Sequence, residues 1–211
     1  MEANFDEARA LLARAAAIRD DLGTNLLVPL MSLHSSQVET LAGDFAAAER
    51  DLRRDYEMLS GVGERFFLPL VGALLAGALC SLGRTADAAA IANEAATTAD
   101  EHDVETQALL RCVQAKVLAR AGEREEAERL ALEATALVRE ADAPLMQAAS
   151  YLDLAEVLYE TGSIEQGRAA LDEAVALYEL KRCRVAPPQV QTLLQALEAD
   201  TTRAEPGVVS A

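Results

Sequence analysis

Two stretches of this sequence hold residue types that can do chemistry. His34 stands among hydroxyls in Ser32-Leu33-His34-Ser35-Ser36, which supplies a base and candidate nucleophiles. Activating a serine requires a base within hydrogen-bond reach and donors for the oxyanion. Adjacent residues on a helix point in different directions, and no strand-turn-helix elbow frames this stretch. His34 is therefore expected to be structural or solvent-facing. Asp100-Glu101-His102-Asp103 offers oxygen and nitrogen ligands to a metal. No HExxH, EF-hand or clustered Cys/His spacing accompanies it, and Asp103 suits a helix N-cap. Gly61-Val62-Gly63 is a turn without the strand and Gly/Lys pattern of a phosphate loop. No catalytic residue, metal or cofactor is expected.

Other residues are arranged for recognition. Asp153, Glu156 and Glu160 share a helical face, either an ordinary solvated face or an acidic stripe suited to a basic peptide. Lys116 and Arg120 hold a comparable face about 40 residues earlier, so that surface is expected to be mixed in sign. Phe66 to Leu82 contains no charged residue. It falls short of the roughly 20 apolar residues that span a bilayer, and Pro69 interrupts it. A buried helix is expected there, and no membrane segment.

Composition narrows the partner classes. Of 211 residues, 51% are hydrophobic but only 4% aromatic, and Trp is absent. Small and straight-chain residues lose little entropy in a helix, so an Ala- and Leu-rich chain favours closely packed helices. The net charge is −16, with 35 acids against 19 bases, which argues against direct nucleic-acid binding. Cys80, Cys112 and Cys183 are odd in number, far apart and never in a CxxC pair. That fits a reducing cytoplasm, and the amino terminus lacks a secretory signal pattern.

The elements that position these residues repeat. Gly43-Asp-Phe-Ala-Ala-Ala48, Gly83-Arg-Thr-Ala-Asp-Ala88, Gly122-Glu-Arg-Glu-Glu-Ala127 and Gly162-Ser-Ile-Glu-Gln-Gly167 align without gaps, their first glycines 40, 39 and 40 residues apart. Ala3-Asn-Phe-Asp-Glu-Ala8 stands another 40 residues upstream. Each first Gly closes a helix in the left-handed conformation. The small residue five positions on lets two helices approach closely. Apolar stripes follow at helical spacing, such as Ala48, Leu52, Tyr56, Leu59 and Gly167, Leu171, Ala174, Tyr178. The pattern predicts helices at 4–22, 25–42, 45–59, 64–82, 85–100, 103–121, 124–141, 144–161, 164–181 and 187–199, no strands, and a disordered tail at 200–211. The domain is 1–199: a half-repeat at 3–22, helix pairs at 25–60, 64–101, 103–142 and 144–182, and a cap helix at 187–199.

The Gly-x-x-x-x-Ala turn between helices resembles the tetratricopeptide repeat, with a unit of about 40 residues instead of 34, as in maltose-regulon-type transcription activators. Leu41-Ala-Gly-Asp-Phe-Ala-Ala-Ala-Glu-Arg and Ala115-Lys-Val-Leu-Ala-Arg-Ala-Gly-Glu-Arg resemble the C-terminal repeats of actinobacterial adenylate or guanylate cyclases and transcription regulators that carry an ATPase module. Arg184-Val-Ala-Pro-Pro188 departs from the pattern. The resemblance implies a right-handed α-solenoid of antiparallel helix pairs whose first helices line a concave groove. Phe66, Phe67, Leu70, Ala73, Gly77, Cys80, Lys116, Arg120, Asp153, Glu156 and Glu160 would face it or rim it. Small residues at 73 and 77 would either pack between neighbouring helices or leave a hollow for a peptide side chain or a small apolar effector. The expected function is non-catalytic: protein or peptide interaction, or effector sensing, within a bacterial signalling protein. Free-standing adaptors are the alternative, and an enzyme built on the helices the remote one. A helix at 3–22 without its pair partner would expose Phe5, Ala8, Leu12, Ala15, Ile18 and Leu22, offering a self-association surface or marking a piece of a larger protein.

Overall fold

The computed structural model describes residues 4–22, 28–180 and 187–204. Among them every regular element is helical: α1 (Phe5–Asp21), α2 (Val28–Ala42), α3 (Phe45–Val62), α4 (Leu68–Ser81), α5 (Thr85–Ala96), α6 (Val104–Ala121), α7 (Arg124–Val138), α8 (Pro144–Thr161), α9 (Ile164–Leu180) and α10 (Pro188–Ala204). None of the described helices is long and apolar enough to cross a membrane.

The repeat glycines behave as their spacing predicts. Gly43, Gly83, Gly122 and Gly162 take φ of 79°, 74°, 86° and 89°, the left-handed region that a Cβ resists. Five residues on, Ala48, Ala88 and Ala127 are completely buried. At Gly167 an added Cβ would sit 3.4 Å from the Ala155 carbonyl oxygen and 3.5 Å from Leu158, so only a small residue fits. Gly72, unremarked in the sequence, is tighter still: a Cβ there would meet Tyr56 and Ala95 at 3.0 Å. It is where α3 and α5 close on α4.

Several predicted boundaries are corrected. The helix expected at 64–82 begins at Leu68. The Glu64 carboxylate accepts from the N–H groups of Phe66, Phe67 and Leu68 at 2.8, 2.9 and 3.2 Å, capping the helix from outside it. Helix α5 stops at Ala96, where the Thr97 hydroxyl turns back onto the Glu94 carbonyl at 2.7 Å. Helix α7 stops at Val138, its last carbonyls taken by the Gln147 amide. Asp103 is the N-cap of α6 as expected, and Asp44 caps α3 in the same way. Helix α10 extends to Ala204, into the expected tail; 205–211 lie outside the described residues, as do 25–27 and 181–186.

Each helix from α1 to α10 packs on the next. The even-numbered helices also pack on one another: α2 on α4, α4 on α6, α6 on α8 and α8 on α10. No comparable packing joins α3 to α5, α5 to α7 or α7 to α9 among the described residues. Two large cores result. One holds Leu52, Leu75, Leu79 and Ala92 between α3 and α6, and the other Leu152, Val157, Leu171 and Leu197 between α6 and α10. Each fully buried Leu or Val contributes about 1.5–3 kcal/mol.

Candidate recognition face

Helices α4, α6 and α8 lie side by side and in register, held by polar links between residues 37 to 40 positions apart. Arg120 donates through Nη1 to the Cys80 carbonyl at 3.0 Å and to the Thr85 hydroxyl at 3.2 Å. Its Nε lies 3.5 Å from Glu160 Oε1. Lys116 Nζ contacts Asp153 Oδ1 and lies 2.7 Å from Glu156 Oε2. Cys112 and Ser150 complete the ladder with a 3.8 Å contact between Sγ and Oγ.

This juxtaposition joins Cys80, Lys116, Arg120, Asp153, Glu156 and Glu160, which the sequence placed on one face. It also corrects their role. The acids of α8 are paired across the helices, Asp153 and Glu156 with Lys116 and Glu160 with Arg120, which leaves these five side chains one negative charge in excess. Lys116 is only 8% exposed. Burial pulls its ammonium down, but Asp153 and Glu156 outweigh this and hold it well above the ordinary lysine range. Burial pushes the Cys80 and Cys112 thiols up, against activation as nucleophiles.

The expected hollow on α4 is smaller than its register implied. Ala73 and Cys80 are buried in the core, not in a groove. Helix α4 is packed by α2, α3, α5 and α6, so little of its circumference stays open. Gly77 is the exception: half-buried, with no atom of another element within 4 Å of where a Cβ would stand. Leu70 is also half-buried. Phe66 projects into solvent, while Phe67 packs on the α3–α6 core.

The remaining candidates resolve into local structure. His34 is exposed on α2. In the 100–103 segment, Asp100 accepts from the His102 N–H at 2.8 Å and Asp103 caps α6. Gly61 and Gly63 finish α3. Among the described residues no group of three or more His, Cys, Asp or Glu could hold a metal ion. On α1, Phe5, Ala8 and Leu12 are half-buried instead of bare, and Arg9 grips Glu39 of α2 at 2.9 and 2.6 Å. Leu11, Ile18 and Leu22 remain exposed.

The sequence reading missed a second set of links. After three of the four turn glycines, the sixth residue reaches the next pair or the cap helix. Glu49 contacts Arg84 at 3.2 Å, Glu128 accepts from Thr161 and Ser163 at 2.5 and 2.8 Å, and Arg168 donates to the Leu197 carbonyl at 3.2 Å. The second pair has Ala89 at this position, and Ala89 lines a cavity of about 270 Å³ with Ala92, Val117, Leu118 and Leu130. A neighbouring cavity of about 270 Å³ shares Gln114 and Leu130 with it and adds Arg111, Arg129 and Glu133. The signal was present as a polar residue six positions after Gly43, Gly122 and Gly162, with Ala89 as the exception after Gly83.

No protein-family profile matches this chain, and no curated protein matches it. Among solved structures it is similar to the crystal structure of BtubC (BKLC) from P. vanneervenii, with a TM-score of 0.55 and 16% identity over 100% of this chain and 97% of that one. At that identity the likeness concerns the fold alone, and it extends over the whole helical array.

Proposed function

We propose that this chain is a non-catalytic recognition scaffold of the cytoplasm, a right-handed α-solenoid of antiparallel helix pairs that takes a protein or peptide segment, or a small apolar effector, on the face built by α4, α6 and α8. The observation that carries this reading is the packing asymmetry among the described residues: even-numbered helices pack on one another, with no comparable packing between odd-numbered ones. Elements closer together on one side than the other bend an array toward the closer side, and stacked repeats use that inner surface for binding. Gly77 supplies open space there. The paired charges beside it, Lys116 with Asp153 and Glu156, hold the helices in register and leave a polar wall with one negative charge in excess.

A ligand on this face would favour one curvature over another and pass that bias to whatever the scaffold is joined to. The resemblance of the repeats to those of bacterial cyclases and transcription regulators makes such an output domain the natural recipient. An enzymatic reading finds less support, since the candidate bases and thiols are dispersed, capped or buried. The test is Gly77→Leu. It fills the open space and removes a helix-weakening glycine, so helicity by circular dichroism stays the same or rises. Capture of the partner from the source cell, identified by mass spectrometry with the native chain, is expected to be lost. Undiminished capture by the variant would sink this assignment of the face.

A further inference from the structure

The ends of α4, α6 and α8 opposite the Gly83, Gly122 and Gly162 turns form a distinct edge. The links from Arg120 to Cys80 and Glu160, from Lys116 to Glu156 and from Cys112 to Ser150 run the three helices in the same direction. Followed toward their N-termini, this register brings the junctions before Leu68, Val104 and Pro144 together, at helix spacings of about 8–10 Å. On this edge Phe66 is 80% exposed and Val62 74%, with Val104 at 40% and Leu145 at 36%. A single exposed apolar residue is ordinary; one at each successive junction forms a row.

Phe66 is also held in place. Its ring meets that of Phe67 edge-on, with centroids 4.9 Å apart and planes at 88°, and Phe67 is anchored in the core. The Glu64 carboxylate fixes the backbone beneath it. An aromatic ordered before binding loses little entropy on docking. Charge selects the partner. Across 57–66, 97–105 and 139–145, acids outnumber Lys and Arg eight to two. Burial and the neighbouring Asp103 push the Glu105 carboxyl up, a strain that an incoming cation relieves.

We propose that this edge docks a basic amphipathic helix of a partner protein, with Val62 and Phe66 receiving its apolar face and the acidic junctions its Lys and Arg side chains. The edge is separate from the α4–α6–α8 face and does not depend on it. Three junctions span roughly 20 Å, the length of about 13 helical residues. The probe is a fluorescent peptide of about 15 residues with Leu and Lys at helical period, titrated with the full chain at about 0.1 M salt. Controls are its scrambled and Leu–Glu counterparts. Binding of the Leu–Lys peptide is expected, weakened at least about tenfold by Phe66→Ala without loss of helicity and unaffected by Gly77→Leu. Amide shift changes in ¹⁵N spectra are expected around Val62–Phe66 and 100–105. No binding, equal binding of the scrambled peptide, full affinity in Phe66→Ala, or shifts centred on Lys116 and Glu156 would each overturn the proposal.

Discussion

Lys116 carries its charge where an isolated ammonium would cost several kcal/mol, and two carboxylates on the next even-numbered helix are what make that tolerable. Replacing it with Met keeps most of the volume but leaves Asp153 and Glu156 facing each other, their side chains about a quarter exposed. Lys116→Met is expected to cost about 1–3 kcal/mol, less than for a fully buried pair. Urea unfolding measures this, and an unchanged midpoint would mean that the ammonium is not holding α6 to α8. Adding Asp153→Leu and Glu156→Leu should recover much of the loss. Tyr56 gives a pH signature at the same scale. Its hydroxyl is buried beside Glu94, and burial, reinforced by that carboxylate, pushes the phenol up to about 12. The unfolded chain ionises first, near 10. The stability contributed by neutral Tyr56 is therefore complete below pH 10 and lost as pH rises toward 12. Absorbance at alkaline pH should show a late-titrating tyrosine that Tyr56→Phe removes.

At the scale of elements, most helices were legible because a repeat states its own period and glycine turns state their ends. Two of the exceptions share a cause: a side chain outside the helix set the boundary. Glu64 lies outside α4 yet satisfies its first N–H groups, and Gln147 of α8 ends α7. Neither periodicity nor local propensity registers such contacts. The gap between α5 and α7 has a different origin: it opens where Ala89 stands in place of the linking residue that Glu49 and Glu128 supply elsewhere. By register the next turn offers Glu123. Ala89→Arg should lay its stem over Val117 and Leu118 and bring its guanidinium to that acid. An exposed pair of this kind is worth about 0.2–1 kcal/mol, a rise of about 1–3 °C in Tm for a chain of this size. Calorimetry decides it: an unchanged or lower Tm means that the second pair is joined differently.

At the scale of the whole molecule, one contact joins distant parts of the array. The turn at Gly43, after α2, touches the start of α10: a Cβ on Gly43 would stand 2.8 Å from Pro188 Cγ. Gly122 has a similar backbone, with φ 86° against 79°, but no neighbour within 4 Å. Gly122→Ala should therefore cost only the left-handed strain, about 1–2 kcal/mol. Gly43→Ala adds a collision and should cost roughly 1 kcal/mol more. Equal losses in chemical denaturation would show that the two parts do not meet in solution.

The sequence by itself determined that the chain is helical, where its turn glycines fall, that a small residue five positions after each of them sits at a close helix approach, and that α4, α6 and α8 present related faces. These follow from local stereochemistry repeated at a 40-residue period, and local rules need no knowledge of the partner segment. Tertiary structure decided which of those faces stay open. Ala73 and Cys80 share the stripe of Gly77, yet four neighbouring helices close over them and leave Gly77 clear. It also decided that the acids of α8 are spent on Lys116 and Arg120, because charge pairing depends on which helices touch, and no period along one chain specifies that distance.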